Sequence, residues 1–122
     1  MIYTSTPITR LCGALAKVRK LILVTAKHLP QHRYFTKIAE ELSKRLGCDL
    51  EIREEDYEFL SIHGDKDEFG MAWAPQLFVE LDDGSIRLIL SKLPIDAKTL
   101  KIDTNSALNE AISKLRSLGI EV

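Results

Sequence analysis

The distribution of apolar residues along the chain predicts several strands. The longest apolar run, Leu21–Val24, does not alternate with polar residues, which is typical of a central strand covered by helices on both faces. Asp49–Arg53 does alternate, with Leu50 and Ile52 pointing one way, and predicts a strand with one buried face. A short run of strand-forming residues, Ile2–Thr4, predicts a further strand.

Apolar residues at helical spacing predict three longer helices. Their apolar faces carry, in turn, Ile8, Leu11, Cys12, Leu15 and Val18; Phe35, Ile38, Ala39, Leu42 and Leu46; and Leu108, Ala111, Ile112, Leu115 and Leu118. Pro30 suits the first turn of the second helix, while Gly47 and Gly119 are suitable ends for the second and third. A short helix is expected within the acidic stretch 54–69.

The clearest local pattern is a hairpin. Gln76–Leu81 and Ser85–Leu90 read as strands, and the intervening Asp83-Gly84 step supplies the positive φ that a tight turn needs. Lys98–Asp103 is ambiguous, with a strand-like part at residues 100–102. The resulting order, βαβαβαββα, predicts one α/β domain over residues 1–122, with a mixed central sheet and helices on both faces.

Charge is divided unevenly along the chain. The formal net charge is -1, yet residues 1–39 contain seven basic residues and no acidic one, whereas residues 40–83 contain fourteen acidic and four basic residues. The acid-free start also fits an organellar transit peptide, although we prefer to place it in the fold. No apolar run is long enough to span a membrane, and two cysteines are too few for a disulfide framework. We therefore expect a cytoplasmic protein.

Two segments carry a family resemblance. Phe69–Pro75, running into Gln76–Val79 and the Asp83-Gly84 turn, resembles the aromatic-glycine segment, cis-proline and central hairpin of the thioredoxin family. Leu21–Ala26 and the following turn, 27–32, are similar to the family's strand and active-site turn. The resemblance spans most of the chain, except for residues 54–68 and 92–103, and implies a thioredoxin-like fold with a cis peptide bond before Pro75.

The departures from the family concern its chemistry. Leu29 and His32 stand at the two positions of the family's reactive cysteines, and Leu23 stands where thioredoxins carry a buried aspartate. Thiol exchange needs an attacking thiolate and a second thiol to resolve the mixed disulfide. We therefore expect a thioredoxin-like domain without oxidoreductase activity.

Other chemistry has weaker support. His28 and His32 are four residues apart, a spacing that places two metal ligands on one helical face, but Pro30 lies between them. Cys12 lies on an apolar stripe and Cys48 follows a helix end, so neither has a visible activating partner. We expect no metal and no cofactor.

The favoured hypothesis is a protein-binding module that uses the former active-site groove to hold an extended peptide. The expected groove surface consists of Lys27, His28, Leu29, Pro30, His32, Arg33, Trp73, Ala74 and Pro75. Trp73 would be a partner's anchor or a core residue. An acidic partner, or self-association between the basic and acidic parts of the chain, fits the charge division. A nucleic-acid adaptor that uses the basic N-terminal face, and a single-thiol redox protein, remain as alternatives.

Overall fold

A computed structural model describes residues 17–95 and 97–120. Within these ranges lie the elements β1 (Val18–Thr25), α1 (His32–Leu46), β2 (Asp49–Glu54), α2 (Tyr57–His63), β3 (Gln76–Leu81), β4 (Ile86–Leu90) and α3 (Thr104–Ser117). The predicted strand at 2–4 and the predicted helical stripe from Ile8 to Leu15 lie outside the described residues. No helix in the described ranges is both long and apolar enough to cross a membrane.

The four strands form one mixed sheet in the order β2-β1-β3-β4. β1 is parallel to β2, with Lys20 opposite Asp49. It is antiparallel to β3, with Val24 opposite Gln76, and β3 and β4 form the predicted antiparallel hairpin. The prediction of an α/β protein with a mixed sheet is confirmed for the described residues.

Side chains of β1 enter two separate apolar cores because successive residues of a strand point to opposite faces. Leu21 and Leu23 pack in the larger core with residues of α1 and α3. Ile22 and Val24 pack in the smaller core with Phe59 and Leu60 of α2, among others. All four β1 side chains are fully buried, so β1 is the doubly covered central strand that its unbroken apolar run predicts.

The second predicted helix and the hairpin are also confirmed. α1 buries Phe35, Ile38, Ala39 and Leu42 and is capped by Gly47. In the hairpin, Gly84 has a φ of 88°, a value that a residue with a side chain rarely adopts. The β3–β4 connection therefore depends on glycine at this position.

Three local predictions need correction. Val18 begins β1 rather than ending a helix, because Val18 itself is paired with Leu81 of β3. α1 begins at His32, so Pro30 lies in the preceding turn and not in the helix. Residues 100–102 form no strand but only an isolated bridge between Ile95 and Ile102.

Candidate functional site

The turn after β1 and the loop before β3 lie at the same end of the sheet. Val24 of β1 is paired with Gln76 of β3, so the antiparallel register brings the residues after Val24 close to the residues before Gln76. The end of β2 joins them, because the Glu55 N–H donates to the Thr25 carbonyl at 2.9 Å. The two segments of the predicted groove therefore lie at the same end of the sheet.

Hydrogen bonds hold the turn between β1 and α1. The Leu29 N–H donates to the Ala26 carbonyl at 3.0 Å, and the His32 N–H donates to the Leu29 carbonyl at 3.1 Å. Thr25, fully buried at the end of β1, has its Oγ1 3.0 Å from Nδ1 of His32. This contact draws the half-buried imidazole toward the end of the central strand.

A buried amide fixes the loop of residues 64–75 that leads into β3, which we call the entry loop. The Gln76 side chain is fully buried. Its Oε1 accepts from the Asp65 N–H at 2.9 Å, while its Nε2 donates to the carbonyls of Asp65 at 3.1 Å and Trp73 at 2.7 Å. A Cβ on Gly64 would lie only 2.8 Å from Oε1. One side chain thus ties both ends of the entry loop to the sheet.

Trp73 is anchored at its edge and half-buried. Its indole Nε1 donates to the Ser91 carbonyl at 2.9 Å, and Lys92 Nζ lies 5.6 Å from the ring centroid. The Ser91 hydroxyl in turn donates to Asp65 Oδ2 at 2.8 Å. The indole is therefore held by a hydrogen bond and retains accessible surface.

The nine predicted groove residues differ in exposure. Leu29, His32, Trp73 and Ala74 are half-buried, and Lys27, His28, Pro30 and Arg33 are exposed. Pro75 is buried, so it shapes the loop without offering side-chain surface. The peptide bond between Ala74 and Pro75 is cis, in agreement with the expectation for this position. The accessible part thus consists of the apolar side chains Leu29, Trp73 and Ala74 and of the basic side chains Lys27, His28 and Arg33, which together with Lys37 of α1 we call the basic rim.

The basic rim has no acidic counterpart of its own. Among the described residues, no carboxylate lies within ion-pair distance of Lys27, Arg33 or Lys37, while Arg19, Lys20, Arg45 and Arg53 all form ion pairs. Arg33 instead donates from Nη2 to the Tyr34 hydroxyl at 2.9 Å, with its Cζ 4.9 Å from the Tyr34 ring centroid. The positive charge at this end of the sheet is therefore not neutralised by a carboxylate of the described residues at ion-pair distance.

The two histidines of the turn do not share a helical face. His28 precedes α1, whereas His32 is its first residue and engages Thr25 through Nδ1. In the described part of the chain, no three His, Cys, Asp or Glu side chains are grouped so as to hold a metal ion.

Cys48 lies at the other end of the sheet. It precedes Asp49, which is paired with Lys20 near the start of β1, whereas the turn follows the end of β1. Burial and the adjacent Asp49 carboxylate raise the pKa of the Cys48 thiol above its ordinary value. Cys12 lies outside the described residues. Cys48 is therefore neither near the turn nor activated as a nucleophile.

The sequence analysis did not identify the residues whose side-chain hydrogen bonds stabilise the turn and the entry loop. These residues are Thr25, Asp65, Gln76 and Ser91. Two of them carried a signal. Thr25 follows an unbroken apolar run, and Gln76 begins a strand that is otherwise apolar at its buried positions. A polar residue in such a place needs a buried hydrogen-bond partner, although nothing in the sequence indicates which partner.

Comparison of the chain with protein-family models, curated proteins and solved structures finds no match. The thioredoxin-like assignment stays a prediction.

We expect Gln76→Leu to destabilise the protein and to loosen the entry loop. The substitution keeps similar volume but removes the partners of the Asp65 N–H, the Asp65 carbonyl and the Trp73 carbonyl. The free energy of unfolding, measured by urea denaturation, should fall by about 1–3 kcal/mol. Because Trp73 is the only tryptophan, its fluorescence emission should shift to longer wavelength.

The matched control is Gln31→Leu, at a half-buried residue of the turn, where no side-chain cap bond is formed. This change should alter stability by no more than about 0.5 kcal/mol. Equal effects of the two substitutions would refute the role assigned to the Gln76 amide.

We also expect Cys48 to react slowly with iodoacetamide at neutral pH. A raised thiol pKa leaves less thiolate, the reactive form, in the folded protein. In a Cys12→Ser background, alkylation of Cys48 followed by mass spectrometry should be slower than alkylation of the same chain in denaturant, and should accelerate as the pH rises. Faster alkylation in the folded state would favour the single-thiol alternative.

Proposed function

We propose that this chain is a non-catalytic, thioredoxin-like domain that binds an extended peptide segment of a partner protein. The observation that carries the proposal is the β1–β3 register, which pairs Val24 with Gln76. This register brings the turn 27–33 and residues 73–75 to the same end of the sheet, which supports the proposal that they act as one surface. Strand order, the hairpin and the cis Ala74–Pro75 bond are compatible with the proposed fold.

Binding suits this surface better than catalysis does. It combines half-buried apolar side chains, Leu29 and Trp73, with backbone at the ends of two strands. Rigid, partly exposed aromatic rings are frequent anchors in protein interfaces, and the fixed Trp73 ring costs little conformational entropy on binding. The turn carries no thiol, and the pKa of the Cys48 thiol at the opposite end of the sheet is raised.

The basic rim indicates which peptides are preferred. Lys27 and Arg33 lack acidic partners among the described residues, so a peptide with acidic residues beside an apolar one would gain charge complementarity. Such pairs at a solvent-exposed rim mainly increase the association rate and the specificity. The apolar side chains of Leu29, Trp73 and Ala74 would supply most of the affinity.

A peptide selected from a displayed random library against the full chain tests this function. We expect Leu29→Ser and Trp73→Ala each to weaken its affinity at least about tenfold, measured by fluorescence anisotropy of the labelled peptide. Leu29→Ser leaves the hydrogen bonds of Gln76 untouched, so its effect would not stem from a disturbed entry loop.

Leu100→Ser is the control, because Leu100 is 80% exposed and lies outside the surface. Selected peptides that bind all three variants like the wild type would contradict the proposal. If labelled single-stranded oligonucleotides bind instead, with steep salt dependence and loss of binding in Lys27→Glu and Arg33→Glu, a nucleic-acid adaptor replaces the peptide-binding module.

A further inference from the structure

Two apolar side chains in the middle of the entry loop are exposed to solvent. Phe69 is 81% exposed and Met71 is 65% exposed. Both belong to residues 66–72, which we call the tip loop. Exposed apolar side chains that are adjacent in a loop are common where proteins bind one another.

The tip loop is held rigidly in this shape. Lys66 and Ala72 form an antiparallel bridge, and the Asp67 N–H donates to the Met71 carbonyl at 2.9 Å. The Asp67 carboxylate Oδ1 accepts from the N–H groups of Phe69 at 2.9 Å and Met71 at 3.0 Å. The backbone around the exposed ring is therefore already ordered, which lowers the entropic cost of docking it.

The tip carries a net negative charge, because Asp65, Asp67 and Glu68 outnumber Lys66. Asp65, Asp67 and Glu68 are close in sequence to the two apolar side chains, and none of them lies within ion-pair distance of a Lys or Arg among the described residues. The complementary surface is thus an apolar depression with a basic rim. Anionic lipid surfaces are disfavoured by the same charges.

The chain itself carries an open cleft on α1 in which the cations Arg33 and Lys37 outnumber the one anion, Glu40. An open cleft of about 430 Å³ is lined by His32, Arg33, Tyr34, Thr36, Lys37 and Glu40, a volume within the roughly 300–1,000 Å³ of ligand pockets. We call it the α1 cleft. Its cations, Arg33 and Lys37, have no acidic partner in the described residues, and Tyr34 supplies an aromatic face beside Arg33. Its own chain's Phe69 does not fill it, since that ring is exposed.

We propose that the tip loop of one copy docks into the α1 cleft of a second copy. The Phe69 ring lies against the Arg33 guanidinium and the stem of Lys37, contacts favoured by cation–π attraction and by burial of apolar surface. Glu68 faces Lys37. The first copy keeps a free cleft and the second keeps a free loop, so the contact is heterologous and repeats head to tail unless a ring closes.

This contact extends beyond peptide binding. His32 and Arg33 belong to both surfaces, and Lys37 belongs to the basic rim, but Phe69 lies outside the groove. The Phe69 variant therefore separates the two proposals, because it weakens self-association and leaves binding of the selected peptide unchanged.

Sedimentation velocity of the full chain over an about hundredfold range of concentration tests the contact. The wild type should sediment faster as its concentration rises, and less so at high salt. Phe69→Ser, which removes the loop's ring, and Lys37→Glu, which reverses a charge in the cleft, should each weaken self-association at least tenfold. Both positions are on the surface, and circular dichroism verifies that the variants are folded.

Mixing the two variants gives the sharpest result. Phe69→Ser retains an intact cleft and Lys37→Glu retains an intact loop, so the mixture should form a 1:1 heterodimer that does not grow further. The controls are Leu100→Ser, at an exposed apolar residue outside the tip loop, and Lys44→Glu, at an exposed lysine further along α1. Both variants should associate like the wild type. A wild type that stays monomeric, a mixture without heterodimer, or controls as defective as the variants would overturn the proposal.

Discussion

The buried amide of Gln76 is the constraint on which the position of the entry loop beside the turn depends. An amide without access to water must find hydrogen-bond partners inside the protein, and here the partners are backbone groups of Asp65 and Trp73. Gln76 also begins β3, whose pairing with β1 is set by the apolar residues of the two strands. The position of the entry loop relative to the turn therefore follows from sheet register and from a single side chain. Gly64 is part of the same constraint, because a larger residue would collide with the amide oxygen.

The distribution of chemical groups over the sheet is the basis for our proposal that this surface binds a partner and does not catalyse thiol exchange. At the edge formed by the turn and the entry loop, the hydrogen bond between Thr25 and His32 occupies a place where the family resemblance implies a thiol. The described cysteine, Cys48, lies at the opposite end and is partly buried beside a carboxylate. The proposed binding surface therefore has apolar area and positive charge but no thiol.

Regular elements were predictable from the sequence because each follows from a local pattern. α1 follows from apolar spacing between Phe35 and Leu42 together with Gly47, and the hairpin follows from the Asp83-Gly84 step. Val18 belongs to β1 and not to the predicted helix, because strand pairing with Leu81, a residue distant in sequence, outweighs its helical spacing with Leu15. Pairing of that kind overrides local pattern.

The candidate site was predictable only in part. Residue types indicate the turn and the loop, but the shape of residues 64–75 is set by hydrogen bonds that the Asp67 carboxylate accepts and that the Gln76 amide donates and accepts. Such bonds have no periodicity in sequence. The exposure of Phe69 could not be inferred either, because an aromatic residue in an irregular segment is more often buried. The burial of Pro75 likewise depends on packing that sequence spacing does not specify.

The most direct test is the mapping of a bound peptide on the full chain by backbone amide chemical shifts. On titration with a library-selected peptide, we expect the largest shift changes at residues 27–33 and 73–74, with smaller changes at Thr25 and Gln76 and none along α3. Perturbations confined to the β4 edge or to α3, with the turn and the entry loop unaffected, would contradict the assignment of this edge as the binding surface.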